Sequence, residues 1–527
     1  MAQAYARRID LDRVRAQALT LLAEGKSAEA VEFVLTLLVQ TEADRLRLLR
    51  KHLGRTSEKV SDAQLSLLRE LLHEVQAQPP PAPPEVGRPP RTTPPHERKK
   101  GHGRRALPEH LRREERKHRV PEAERPCPHC GGERVTIGWE SSETLERIPA
   151  SFYVIVDLRE KLACPACEQG VQTAPAPEKA IEKGRPGPSL LADVIIGKYA
   201  DHLPLTRQRT IYLREGVEIA VSTMVDWVAA VAMSLRPLAA RLEELVLGAH
   251  VLGADDTGIK VLDKGAPGGA KRGHLWCYVG DGMHAVFRYT PDWSKEGPQA
   301  FLEKRRGWLQ ADAYRGFDAL FARKGATAVE VGCWAHARRP FAELALANDA
   351  RAAPMIEKIR ALYAVERRAT EEGVDAEERL HRRQAESAPV VDAIVAACRE
   401  IRGRYPPSDP LAKAAGYVLN QERALRRFLE DGALPIDNTL VERRLRPVAC
   451  GRRNYLFCGS DAGAERAAVI YSLLGSCALA GVDPRAYLTW VLTQLEIERV
   501  PRARLDELLP ASWAKVCPAD ARVPTSR

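Results

Sequence analysis

Three acidic residues have the types and settings that metal-assisted phosphodiester chemistry needs. Asp255 follows the apolar run Val251-Leu252-Gly253-Ala254, and Asp312 ends the run Trp308-Leu309-Gln310-Ala311. Glu442 lies in Ile436-Asp437-Asn438-Thr439-Leu440-Val441-Glu442-Arg443-Arg444. Two carboxylates on strands and one on a helix can converge to hold a pair of divalent cations. Such a pair activates a water or a sugar hydroxyl for attack on a phosphodiester. Each acid also has a plainer role when taken singly. A strand-end Asp is solvated or caps a turn, and Thr439-x-x-Glu442 fits a capping box at a helix start. Asp256 competes with Asp255, because adjacent strand residues face opposite sides and only one points into the site.

The elements that must position these acids are legible from periodicity. From 250 the helical period gives way to alternation, predicting strands over Val251 to Leu262, Leu275 to Val279 and Ala285 to Tyr289. The Gly- and Lys-rich stretch 264–273 turns the first into the second. Pro298 to Arg305 fits a helix, Trp308 to Asp312 a fourth strand, Tyr314 to Arg323 a helix, and Ala328 to Cys333 a fifth strand. Three hairpin strands followed by alternating helix and strand is the order of a ribonuclease-H-like α/β core. Residues 335–430 are helical and charged and too long for a loop, so they separate the second acid from the third as a helical insertion. Glu442 reaches the site only if the chain returns to the sheet, with Val441, Leu445 and Val448 as the docking face.

The flanks are built for a polyanion. Residues 10–76 read as helices, with Leu46, Leu49, Leu53 and Leu65, Leu68, Leu72 at helical spacing, a helical lobe or a dimerising segment. Gln78-Pro79-Pro80-Pro81-Ala82-Pro83-Pro84 opens a semi-rigid linker, and Arg98 to Arg119 is densely basic. Cys127-Pro128-His129-Cys130 and Cys164-Pro165-Ala166-Cys167 are two thiolate knuckles; Cys127, Cys130, Cys164 and Cys167 predict a zinc ribbon around one structural Zn2+. Between them Ser151-Phe152-Tyr153-Val154-Ile155-Val156 alternates as a strand does. Residues 189–245 look helical, and Leu203 to Leu213, Gly216, then Ile219 to Trp227 suggest a helix-turn-helix. Its second helix would bury Met224, Trp227 and Val228 and bring Ser222 and Thr223 to the bases; any helical hairpin can mimic that pattern. Cys333 and His336 form Cys-x-x-His beside the core, either a second metal site or a buried strand end followed by a helix start.

Composition narrows the class. A chain of 527 residues holds several domains. The net charge of +10 and pI near 9.0 favour a polyanionic partner without selecting one. Met1 to Asp10 are polar and charged, unlike a signal peptide, and no apolar run is long enough for a membrane span. Eleven cysteines in so long a chain do not make a disulfide framework; the paired ones suit metal in a reducing cytoplasm.

Longer motifs carry a resemblance. Ala254-Asp255-Asp256-Thr257, Leu309-Gln310-Ala311-Asp312-Ala313-Tyr314 and Gly332-Cys333-Trp334-Ala335-His336-Ala337-Arg338-Arg339 resemble segments of the insertion sequence 66 family of bacterial transposases. So do Leu429 to Asn438 with its continuation to Pro447, Gly451-Arg452-Arg453-Asn454-Tyr455-Leu456-Phe457, Gly481-Val482-Asp483-Pro484 and Glu507-Leu508-Leu509-Pro510. The likeness spans nearly the whole chain. It departs at Asp256, where the family commonly has Glu, and at Thr439, where it commonly has Asn.

The resemblance implies a multidomain α+β protein: a helical segment (1–77), linker (78–120), zinc ribbon (121–180) and helix-turn-helix-like region (181–246). A ribonuclease-H-like core follows (247–338 and 431–480), split by a helical insertion (339–430), with a helical extension (481–527). It implies a DDE transposase whose triad is Asp255, Asp312 and Glu442, holding two Mg2+ or Mn2+ ions. The expected partner is double-stranded DNA, at element ends and target. Arg443, Arg446, Arg452 and Arg453 would brace phosphates, although a solvated helix face accounts for arginines too. Synapsis implies a homodimer or higher oligomer, elements of this family usually encode small accessory proteins, and no membrane is involved. The expected location is the bacterial cytoplasm, on the nucleoid when bound to DNA. Two rivals remain at this point: a non-catalytic DNA-binding protein, and a ribonuclease-H-like nuclease without strand transfer.

Overall fold

The computed structural model describes residues 186–322, 327–497 and 502–523 as continuous stretches, with short pieces between 151 and 184. The helices expected over 10–76, the linker, the basic stretch and the four knuckle cysteines lie outside the described residues. The chain divides into two compact units, one of Pro79–Leu158 and one of Met1–Gln78 with Arg159–Arg527. In the former, Ser151 to Val156 is not a strand, contrary to its alternation, and Tyr153 to Val156 are exposed. Alternation supplies a face but no partner strand, and pairing is what stabilises a strand.

In the latter unit, apolar alternation from 251 onward produces five strands: β1 (Val251–Leu262), β2 (Ala270–Gly280), β3 (His284–Thr290), β4 (Gly307–Gln310) and β5 (Ala328–Val331). Their order in the sheet is β3-β2-β1-β4-β5. The first three are antiparallel, whereas β4 joins β1 in parallel and β5 joins β4 in parallel. Asp281 and Gly282, at φ 48° and 67°, make the tight β2–β3 turn in the left-handed conformation such hairpins require. The Asp281 carboxylate accepts the backbone N–H groups of His250 and Val251 at 3.0 and 2.8 Å, tying that turn to the start of β1.

Helices cover the sheet. The amino-terminal group comprises α1 (Pro188–Tyr199), α2 (Leu205–Arg214) and α3 (Val221–Gly248). Two short helices, α4 (Glu296–Leu302) and α5 (Asp318–Ala322), lie within the βα connections; α5 is shorter than the helix expected over 314–323, its first turn being 3-10. After β5 come α6 (Trp334–Leu346), α7 (Ala353–Glu371), α8 (Ala376–Arg382), α9 (Ala388–Arg404), α10 (Pro410–Asn420) and α11 (Glu422–Arg426). The chain closes with α12 (Thr439–Asn454), α13 (Asp461–Ala480), α14 (Pro484–Ile497) and α15 (Pro510–Val516).

The α6–α11 stretch packs Phe341, Ile356, Ile359, Leu362, Ile394, Leu411, Val418 and Phe428 into a core that continues into the sheet through Val251 and Val331. The buried guanidinium of Arg383 is satisfied there by Glu366 at 2.6 Å and by the carbonyls of Phe428 and Asp431 at 2.9 and 3.0 Å. A charge so enclosed is tolerated because each donor finds an acceptor. On the opposite sheet edge, α13 covers β3. Ser476 and Ser472 accept the N–H groups of Ala285 and Phe287 at 3.0 and 2.7 Å, so this edge strand offers few free donors for pairing with another chain.

The hairpin of α2 and α3 exists, with Gly216 at φ 84° between the helices and Met224 and Val228 buried. Trp227 is only half-buried. The second helix is not the short element expected. It runs 28 residues, and its later turns bury Leu235, Leu238, Leu242 and Val246 as it packs on β2, β3 and α13. Apolar residues continue at helical spacing past Trp227, so the helix propagates until it has covered the sheet.

Candidate functional site

The three acids come from three different elements. Asp255 sits in β1 just beyond Gly253, the last residue paired with β4. Asp312 lies two residues past the end of β4, which stops at Gln310 rather than at 312 as expected. The residue after it, Ala313, adopts φ 64°, a conformation costly for any residue with a Cβ. The β1–β4 ladder therefore ends at Gly253 and Gln310, two residues before each acid.

The helix carrying Glu442 is brought back onto β1 because the chain returns. Gln310 donates its side-chain amide to the Pro435 carbonyl at 2.8 Å, and the Trp334 N–H donates to the Ile436 carbonyl at 3.1 Å. The Asn438 N–H donates to the Cys333 sulfur at 3.2 Å, and its side-chain amide to the Ala254 carbonyl at 2.8 Å. These bonds sew residues 435–438 between β1, β4 and the start of α6. Helix α12 then lies on β1 with Val441, Leu445 and Val448 buried, the face expected to dock. Gly253 is required beneath it, since a Cβ there would meet Asn438 and Val441 at 2.7 Å.

That contact also separates the two candidate aspartates. Gly253 and Asp255 share a face of β1, so Asp255 looks toward α12. Asp256 points the other way and is fully engaged, accepting from the ring of His274 and from the indole N–H of Trp293 at 3.1 Å. The capping role for Glu442 is not taken either. The Thr439 N–H donates to the Asp437 carboxylate at 3.0 Å, and Oε1 of Glu442 is buried without a hydrogen-bond partner.

Electrostatics tie the three acids together. The Asp255 carboxyl is pushed up to about 7, first by burial and then by the negative charge of Asp312, with smaller contributions from Asp256 and Glu442; the Asp256 N–H at 2.8 Å pulls the other way. A buried carboxyl beside other carboxylates offers the hard oxygen donors and excess negative charge that a divalent cation offsets. Among the described residues, however, no three His, Cys, Asp or Glu side chains stand close enough to enclose one ion. Glu442 instead faces His336 and Arg339, whose nitrogens lie 3.6 and 3.7 Å from Oε1.

Comparison with known proteins adds to this geometry. Residues 183–466 match the model of the "Transposase IS66 family", and 124–168, spanning both cysteine pairs, match the zinc-finger binding domain of transposase IS66. Residues 472–511 match the IS66 C-terminal element, and 44–116 a helical domain described as "Transposase C of IS166 homeodomain". The chain belongs to the IS66 transposase family. Three Sinorhizobium fredii proteins, y4hP, y4qI and y4jD, each described as uncharacterized, are 35%, 34% and 32% identical to this chain. The matches cover 77%, 75% and 74% of this chain and 76%, 75% and 78% of those proteins.

This IS66 chain is thus a transposase with a zinc-binding domain, and DNA is its partner. Among its described residues no helix is long and apolar enough to cross a membrane. The expected DNA-contacting residues divide in the structure. Arg443, Arg446 and Arg453 are exposed and, at intervals of three and seven, share one flank of α12. Arg452 is turned inward, donating to the Thr257 hydroxyl and the Gly258 carbonyl at 2.8 and 2.6 Å. It clamps α12 to β1 instead of facing solvent. Ser222 is exposed and Thr223 half-buried at the start of α3.

Cys333 is buried, with its thiol pushed up to about 12 by burial, and it accepts from Asn438. The strand expected to end at Cys333 stops at Val331, and Cys333 sits instead at the N-cap of α6, which begins at Trp334 and not at His336. The roles of Asn438, His336 and Arg339 went unread in the sequence, although Cys-Trp-Ala-His-Ala-Arg-Arg had marked the segment.

Proposed function

We propose that this chain cleaves and joins DNA at the ends of its element, with Asp255, Asp312 and Glu442 as the catalytic carboxylates. The observation that carries this reading is a buried strand acid coupled electrostatically to Asp312 and Glu442, with a helix acid whose buried oxygen makes no hydrogen bond and has only the longer ion-pair contacts to His336 and Arg339. The strand order β3-β2-β1-β4-β5, with one acid on β1 and another two residues past the end of the adjacent parallel β4, supports a ribonuclease-H-like core. We read 247–338 and 431–480 as that core and 339–430 as a helical insertion packed onto it.

The three carboxylates would hold a pair of Mg2+ or Mn2+ ions, which when bound activate the attacking oxygen and offset charge on the leaving one. Asp255 and Glu442 must turn from their present partners to share an ion. For Asp255 that partner is the Asp256 N–H, and for Glu442 they are His336 and Arg339. A water attacks the phosphodiester at the element end and frees a 3′ hydroxyl, which then attacks a target phosphodiester. No covalent bond to the protein forms in either step.

Arg443, Arg446 and Arg453 carry the DNA backbone away from the site along α12. Ser222 and Thr223, at the first turn of α3, approach the bases of the terminal repeat. Cys127, Cys130, Cys164 and Cys167 hold one structural Zn2+. Pairing of two element ends calls for at least a homodimer, with small accessory proteins from the same element as further partners.

Full-length protein, Mg2+ and a labelled duplex carrying the element's terminal repeats test the reading. Joined products support it. Cleavage without joining points to a nuclease, and bound but unaltered DNA to a binding protein.

A further inference from the structure

The aspartate that faces away from α12 anchors a second feature. Trp293 lies in the loop after β3 with 56% of its surface exposed, yet it is held on three sides. Its indole N–H donates to Asp256, its carbonyl accepts from the Tyr314 hydroxyl at 3.0 Å, and its ring stacks on buried His274 with centroids 5.8 Å apart and planes at 17°. Tyr314 lies against the same indole with centroids 5.2 Å apart. The core beneath is complete without Trp293, since Trp276 is buried against Tyr314 and Phe317. The neighbouring Asp292 carboxylate is turned back to accept the Ser294 N–H at 2.9 Å.

The indole is held by its N–H and by ring contacts to His274 and Tyr314 while more than half of its surface stays open to solvent, which leaves area for a ligand. Its anchors are telling. Asp256 adjoins Asp255 in the chain, and Tyr314 follows Asp312 across the left-handed Ala313.

We propose that Trp293, backed by His274 and Tyr314, is a stacking platform for an unpaired nucleobase of the strand held at the carboxylates. Every base has a π face, so the platform is tolerant of sequence; it selects strand separation instead. A base lifted from the duplex would leave the adjoining phosphodiester exposed to the acids, at the cost of one unstacking event. The inference rests on the reading of Asp255, Asp312 and Glu442 given above.

The test uses full-length protein with Ca2+ in place of Mg2+ and two probes: a blunt duplex, and the same duplex ending in a short unpaired flap that carries 2-aminopurine. Wild type should prefer the flap by roughly 5- to 100-fold and quench the probe on binding. Trp293→Phe should keep most of the preference. Trp293→Leu, which matches apolar character without a π face, should lose both preference and quenching while binding the blunt duplex as before. Equal preference in the Leu and Phe variants, or quenching undiminished in Trp293→Leu, overturns the platform. Asp312→Asn, assayed in parallel with Mg2+, separates the two readings. It should still quench the flap while no longer cutting DNA, and if it cuts, the carboxylate assignment fails without touching the stacking result.

Discussion

The side-chain amide of Asn438 donates to the carbonyl of Ala254 at 2.8 Å, joining positions 184 residues apart. One partner adjoins Asp255 and the other begins the helix that carries Glu442. This bond and the Cys333 thiol together set the distance between a strand acid and a helix acid. Asn438→Ala removes the donor and leaves a buried carbonyl unsatisfied, a loss of about 1–3 kcal/mol in unfolding experiments. Cleavage should fall further than stability alone explains, because the helix register is released. A Mg2+ titration of the cleavage rate checks this: the variant should need more metal, whereas a stability defect alone lowers the rate equally at all metal concentrations.

Burial and Asp312 together hold the Asp255 proton up to about 7, and the sign of the consequence follows. An acid bound more tightly to its proton in the folded state costs nothing below its ordinary value near 4. The cost grows as pH rises toward about 7 and is complete above it. Metal-free protein should therefore lose melting temperature across that window. Asp255→Asn should flatten the profile and be more stable than wild type at pH 8 in a chelator. Added Mn2+ should stabilise wild type and leave the variant unmoved. Thermal melts at pH 5 and pH 8 decide it.

The arginines of α12 should separate by function. Replacing Arg443, Arg446 or Arg453 with Ala should weaken duplex binding at low salt and reduce the slope of affinity against salt by about 1 each. Melting temperatures should hardly change. Arg452→Ala should do the reverse, lowering stability by breaking its bonds to Thr257 and Gly258 while sparing the salt slope. Binding titrations at several salt concentrations, beside melts, give both numbers.

Zinc is a separate component. Elemental analysis of full-length protein should find one Zn2+ per chain, and Cys127→Ser or Cys164→Ser should lose it. Affinity for the terminal repeats should drop, while the melting transition of the catalytic unit persists. Retention of a full zinc complement in both variants would remove the four cysteines from the site.

Much of this was legible before any coordinates. Five strands appeared in the expected order, although β2 starts at Ala270, inside the stretch read as a turn, and β4 stops at Gln310; β2 is buried along most of its length, so alternation alone does not mark its start. Val441, Leu445 and Val448 announced the face by which α12 docks. The failures have physical reasons too. Ser151 to Val156 alternates without a paired neighbour, and α3 outran the hairpin it was read as closing. Arg452 looked like its exposed neighbours because charge says nothing about which way a side chain turns. His336, Arg339 and Asn438 matter through contacts between segments about 100 residues apart, and local spacing does not encode those.

The most direct test of the central claim compares single-turnover cleavage of the element-end duplex by wild type, Asp255→Asn, Asp312→Asn and Glu442→Gln. Two-metal chemistry predicts that each substitution removes strand cleavage by about a thousandfold or more while duplex affinity is retained. Wild-type cleavage by any one of the three would contradict the account, Glu442→Gln most sharply, because that acid is the one the fold must carry back to the sheet.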